Sequence, residues 1–312
     1  MSRNTYTKSN TANFIPIFFL IAYLCIGFIP NWQAVDKIAP QWLLMSILNL
    51  TCLIYLIYFR QHFSERIIQT INTALSYTYI AFISWAALSY FYAINSTEVL
   101  VNITRQVNVL AMYIMMGIFI YNIKEKNRLI SYIISVILII EVYAVLEEAL
   151  KMINSSGLIV PSELKGVTAN RNITAFSIAI KIPFVLFLIY KFNKFKFKIV
   201  LSGVIFFSIL CLSMIQSRAS FLAMGLALIL YLGLCVVLYL KNKNRKHLLS
   251  FGYLLIPFLL AIITNQVYLS DKGSDAIARA TTITAGVSDD SVNQRLRYYE
   301  DVLTHISSNF IF

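Results

Sequence analysis

Apolar residues in this chain recur in nearly unbroken runs close to 20 residues long, separated by short polar stretches. They do not show the one-sided, 3.6-residue spacing of a soluble amphipathic helix. A hydrocarbon core of about 30 Å is crossed by about 20 helical residues. The pattern therefore predicts nine membrane helices, near 14–30, 41–59, 71–93, 106–121, 129–150, 173–190, 199–215, 219–240 and 248–264. The expected fold is an all-α, polytopic helical bundle over 1–264. Residues 265–312 read as the start of a large outer loop. In that tail an amphipathic helix is expected over about 291–306, with Val292, Leu296, Tyr299, Leu303 and Ile306 as its apolar stripe.

Composition agrees with this pattern: 59% of the 312 residues are hydrophobic and 13% are charged. The first run has no small-x-small cleavage site and many similar runs follow it, so it reads as a retained span rather than a leader. The net charge of +12 raises the question of nucleic acid. The basic residues, however, fall in clusters between apolar runs, which is a topology signal and excludes a DNA-binding face. With the N-terminus in the cytoplasm, the alternate loops and the N-terminal segment hold 15 of the 26 Lys and Arg, whereas most acids fall on the other side. This orientation places Lys151 to Asn172, the turn at Arg218 and everything after Thr264 on the outer face of the membrane.

Three outer features carry candidate chemistry. In Gly166 to Phe176, Asn170 or Asn172 can cap the sixth span, and Arg171 adds a full charge beside the positive end of the helix dipole. Such an end attracts anions, although on this segment alone a capped start with a solvated arginine is the favoured reading. In Met214 to Met224, Ser217 is the expected N-cap of the eighth span and Arg218 its first residue. Arg218 suits either a lipid headgroup or a bound phosphate, and Ala219, Ala223 and Ala227 form a small-residue stripe against which another helix could pack. In the tail helix Ser291 is the expected cap, Asp289 and Asp290 complement the dipole, and Arg295 flanks the stripe.

Two ionisable groups lie inside spans. Glu141 and Lys181 sit at matched depths of about 12 to 14 Å on sequential antiparallel helices, which predicts an ion pair or two groups facing one hydrated cavity. Cys25, Cys52, Cys211 and Cys235 show no metal-ligand spacing and read as packing residues, and no metal or cofactor site is expected. No internal repeat is visible, which weighs against a common transporter architecture.

Taken in order, Gly166…Asn170-Arg-Asn172, Gln216-Ser-Arg-Ala-Ser220 and Ser291-Val-Asn-Gln-Arg-Leu-Arg-Tyr-Tyr-Glu300 resemble the bacterial O-antigen ligase and polymerase superfamily. The resemblance covers nearly the whole chain. It implies a metal-independent membrane glycosyltransferase of the cytoplasmic (inner) membrane with its active face periplasmic. The donor would be a glycan on undecaprenyl pyrophosphate, and the acceptor a glycan, the lipid A core or a protein. Arg218 and Arg295 are then expected to engage the donor pyrophosphate, with Arg171 beside them. Asn170, Asn172, Ser217, Lys181 and Glu141 support the site. The chain reaches Asn309-Phe-Ile-Phe312 as the superfamily's Gly-rich segment would begin, so it reads as truncated, with the expected catalytic histidine beyond Phe312. A transporter or flippase for lipid-linked sugars is the alternative, in which the same arginines bind pyrophosphate without chemistry.

Overall fold

The computed structural model describes residues 14–29, 33–36, 38–121, 123, 125–168, 170–281 and 290–308; the side chains of 279–280, 290–292, 295 and 305–308 lie outside that description. Helices are the only regular secondary structure among the described residues. They are α1 (Phe14–Leu24), α2 (Ala39–Tyr58), α3 (Arg60–Ile71), α4 (Ala74–Leu88), α5 (Ser96–Ile120), α6 (Lys126–Ser156), α7 (Arg171–Lys191), α8 (Phe195–Ile215), α9 (Arg218–Asn242), α10 (Lys246–Thr264), α11 (Ala276–Thr281) and α12 (Asp290–Ser308). Packing divides the chain into Asn127–Tyr298 and a second unit formed by Met1–Lys126 with Tyr299–Phe312.

Seven of these helices, α2 and α5 to α10, are long and apolar enough to cross a membrane. Two of the nine expected spans are shorter. The first is the 11-residue α1, which passes into a 3-10 turn over Ile26–Phe28. The third is the 15-residue α4, held at its start by Thr73, whose Oγ1 accepts from the Ser76 amide at 3.2 Å. The chain just before that cap belongs instead to α3, whose buried Phe63 faces a small aromatic core. In that core Phe19 stacks on Phe119 with centroids 5.5 Å apart, and Cys52 and Leu56 pack around them. Beside it, Tyr23 donates to Asn49, and Asn49 donates in turn to the Asn108 carbonyl and side-chain oxygens. A polar ladder of this kind satisfies groups that hydrocarbon would leave unpaired.

In the larger unit α8 lies at the centre, with every residue from Ser208 to Ile215 buried. It packs against α7 and α10, and Cys211 reaches the Val142 carbonyl on α6. Helix α9 is the reverse: Leu222, Leu226, Ile229, Leu230 and Val237 are all exposed. An exterior as apolar as the core is what a lipid solvent permits and water does not. Connections of a few residues make α7, α8, α9 and α10 alternate in direction, so α7 and α9, which also pack together, begin at the same end. That end is closed by the chain after α10, which continues as a π-turn over Asn265–Leu269 and a 3-10 turn over Ser270–Lys272.

Candidate functional site

The end of the larger unit that holds the starts of α7 and α9 is built from interlocked loops. After α6 the chain runs back to α7 through Gly166, whose φ of +51° is left-handed and whose added Cβ would stand 3.1 Å from Thr174 and Val145. Glycine suits both conditions. Glu148, next to the buried Ala149 on α6, accepts from the Lys165 and Gly166 amides at 3.0 and 2.8 Å. Its carboxylate thereby fixes the approach to α7. Across the same end Ile159 donates to the Lys272 carbonyl, and an added Cβ on Gly273 would lie 2.7 Å from the Ile159 carbonyl oxygen. Asn265, fully buried, donates to Ser274 and accepts from the Ala276 amide, which sets the start of α11.

Asn170 caps α7 as expected, its Oδ1 accepting from the Asn172 and Ile173 amides at 2.9 and 3.4 Å. Asn172 contributes its backbone to that cap, and its side chain is exposed. Arg171, the first residue of the helix, is half-buried. The cap has consumed two of the amides that an anion would otherwise find.

The α8–α9 turn differs. Gln216 ends α8 in the left-handed region, at φ 54°, so a two-residue connection reverses the chain. Ser217 occupies the N-cap position with extended backbone, but its side chain makes no capping hydrogen bond. This corrects the expected hydroxyl cap. Ser217 is itself buried, and it is its carbonyl that accepts, from the Ser220 and Phe221 amides and the Ser220 hydroxyl. The side chain of Ser217 therefore caps none of the first amides of α9, and Arg218 stands beside them, half-buried, with Nε shielded from solvent. The alanine stripe is not a packing seam either. Ala219 and Ala223 are exposed and Ala227 is half-buried, because the inward face of α9 is set by Ser220 and Met224, one position away.

Below this end Lys181 and Glu141 form an ion pair, with Nζ 2.9 Å from both carboxylate oxygens. Ser177 donates to Glu141 Oε1 at 2.8 Å, and Lys181 also reaches the Ser177 carbonyl and hydroxyl. An ammonium has three hydrogens to give. Glu141 and Ser177 take them, so the geometry is that of a closed pair rather than an anion receptor. Ser177 was not singled out in the sequence, although its position four residues before Lys181 places it on the same face. Glu148 carried no comparable signal.

Arg295 lies on the backbone of α12, and its side chain falls outside the described residues, as do those of Ser291 and Asp290 and the whole of Asp289. Of the expected stripe, Leu296, Tyr299 and Leu303 are exposed.

Residues 201–312 match the family described as O-antigen ligase, a segment that starts within α8 and takes in the Ser217–Arg218 turn and α12. No curated protein and no solved structure matches the chain. The C-terminal third of this helical, multi-pass chain is thus similar to the O-antigen ligase family.

Proposed function

We propose that the protein is a membrane glycosyltransferase that moves a glycan from undecaprenyl pyrophosphate to an acceptor hydroxyl at the periplasmic face. The products would be those of O-antigen ligation or of repeat-unit polymerisation, with a glycan, the lipid A core or a protein as acceptor. The observation that carries this reading is the O-antigen ligase match over the segment whose helix start carries Arg218 without a side-chain cap from Ser217.

In the proposed reaction the acceptor oxygen attacks the anomeric carbon, the bond from that carbon to the pyrophosphate oxygen breaks, and a general base takes the hydroxyl proton. Negative charge grows on the departing pyrophosphate. Arg218, at the positive end of the α9 dipole, is suited to stabilise it, since fixed charges and donors gain strength where charge develops. Arg295, on α12, is assigned the same task, and Arg171 a lesser one beside its capped helix. Asn170 holds that helix start. Lys181 and Glu141 keep α6 and α7 in register and do not touch the donor. In this reading residues from Asn265 onward begin the periplasmic loop that covers the site.

The test uses the full-length protein in proteoliposomes with an undecaprenyl-pyrophosphate glycan, following donor consumption and glycan transfer. Arg218→Ala and Arg295→Ala should each reduce turnover. Unchanged turnover in both removes the pyrophosphate roles. Movement of intact donor across the bilayer without cleavage would replace the reading with a transporter.

A further inference from the structure

Helices α7, α9 and α10 leave between them an apolar cleft of about 650 Å³. Its walls include Ile182 and Phe187 of α7, Met224 and Leu234 of α9 and Leu254 of α10. On α9 the lining runs from Met224 to Leu238, which spans about 21 Å at ~1.5 Å per residue. One leaflet supplies only half of a ~30 Å hydrocarbon core, so a single acyl chain entering from one membrane surface fits along its length.

The two ends of the cleft differ in chemistry. Toward the start of α9 it is walled by Met224 and Ala227. At the opposite end it is bounded by Lys191 and His247. Lys191 is exposed and its ammonium lies 5.8 Å from the centre of the Phe187 ring, which is part of the wall. His247 is buried, with Nδ1 3.4 Å from the Tyr190 hydroxyl and Nε2 3.3 Å from the Asn242 amide, so it ties together the ends of α7, α9 and α10. Around this end, residues 191–198 contain four lysines, and residues 241–247 three lysines and Arg245, with no Asp or Glu in either stretch.

We infer that this cleft holds one anionic phospholipid, with an acyl chain along α9 and a phosphate headgroup at Lys191 and the basic α7–α8 and α9–α10 connections. A basic pocket between membrane helices recognises an anionic headgroup by charge, while the groove beside it excludes exchange with bulk lipid by shape. The inference is independent of glycosyl transfer, because it concerns the end of the unit remote from Arg218.

The test is native mass spectrometry of the full-length protein, purified with phosphatidylglycerol or with phosphatidylcholine of the same chains. Wild type should retain one phosphatidylglycerol and not phosphatidylcholine. Ala227→Trp, which fills the groove, and Lys191→Gln, which removes the end charge, should each lower occupancy at least fivefold. Lys165→Gln with Lys272→Gln, exposed at the opposite end of the unit, should leave occupancy near wild type. Equal retention of phosphatidylcholine, undiminished occupancy in Lys191→Gln, or an equal loss in the Lys165/Lys272 variant overturns the inference. If Ala227→Trp does not fold, the surface variant Lys191→Gln still decides the question.

Discussion

Lys181 of α7 and Glu141 of α6 meet inside the membrane-spanning unit as a bidentate ion pair, both oxygens 2.9 Å from Nζ, with side chains only 16% and 9% exposed. Removing one partner strands the other charge in a medium that cannot solvate it. Lys181→Met or Glu141→Gln alone is expected to destabilise the protein by about 3 to 5 kcal/mol, and Lys181→Met with Glu141→Leu by clearly less. Unfolding in detergent micelles, set out as a double-mutant cycle, checks this. Additive losses would show that the pair does not act as a unit.

The loop that delivers α7 depends on Glu148 and Gly166. Gly166→Ala meets both a left-handed φ and two neighbours at 3.1 Å, so a loss of about 1 to 3 kcal/mol is expected. Glu148→Gln weakens two charge-assisted bonds to the Lys165 and Gly166 amides. Hydrogen exchange should rise at residues 165–168 in both variants, while the amides of α8 stay protected.

The two helix starts should respond differently to truncation of their N-cap residues. Asn170→Ala removes an observed cap and should cost about 1 kcal/mol. Ser217→Ala removes a hydroxyl that makes no capping bond and should cost clearly less. Thermal unfolding of the two variants side by side measures the contrast. A larger loss at Ser217 would mean that its hydroxyl caps α9 after all.

Much of this architecture is legible in the sequence because lipid, unlike water, leaves the apolar runs of a span almost unbroken. The exceptions are instructive. Helix α5 starts at Ser96, ten residues before its expected start, because its first turns carry Glu98, Asn102 and Arg105, which interrupt the apolar run. Arg105 is nevertheless anchored there, 2.7 Å from Asp36. Helix α3 was hidden as a polar connection, since its apolar content amounts to one narrow stripe around Phe63. At the candidate site the Asn170 cap was legible because the acceptor sits within three residues of the amides it binds. Glu148 was not, as its partners lie 17 and 18 residues away across a loop. The Glu141–Lys181 pair lay between these cases: depth matching brought the residues to one level, and only the helix rotations could show that they face each other.

The asymmetry between the two arginine-bearing helix starts yields the sharpest functional expectation. At α7 the Asn170 side chain already occupies the Asn172 and Ile173 amides, whereas at α9 the N-cap side chain makes no bond to the first turn. If pyrophosphate is stabilised by arginine and backbone amides together, Arg218 has the help of a helix start without a side-chain cap and Arg171 acts largely by its charge alone. Arg218→Ala should then lower kcat/KM for the lipid-linked donor by about 10² to 10³, the loss typical of removing one fixed donor from a developing oxyanion. Arg171→Ala should lower it by about tenfold or less, the scale of a partly screened charge near a helix end. Arg218→Lys should recover only part of the loss, because an ammonium keeps the charge but not the paired donors of a guanidinium. Steady-state transfer measured with the full-length protein at two ionic strengths separates the cases: added salt should depress the contribution of Arg171, a charge acting at a distance, more than that of Arg218 in direct contact with the phosphate. Equal losses at the two positions would mean that the missing side-chain cap at α9 gives Arg218 no advantage over a capped start.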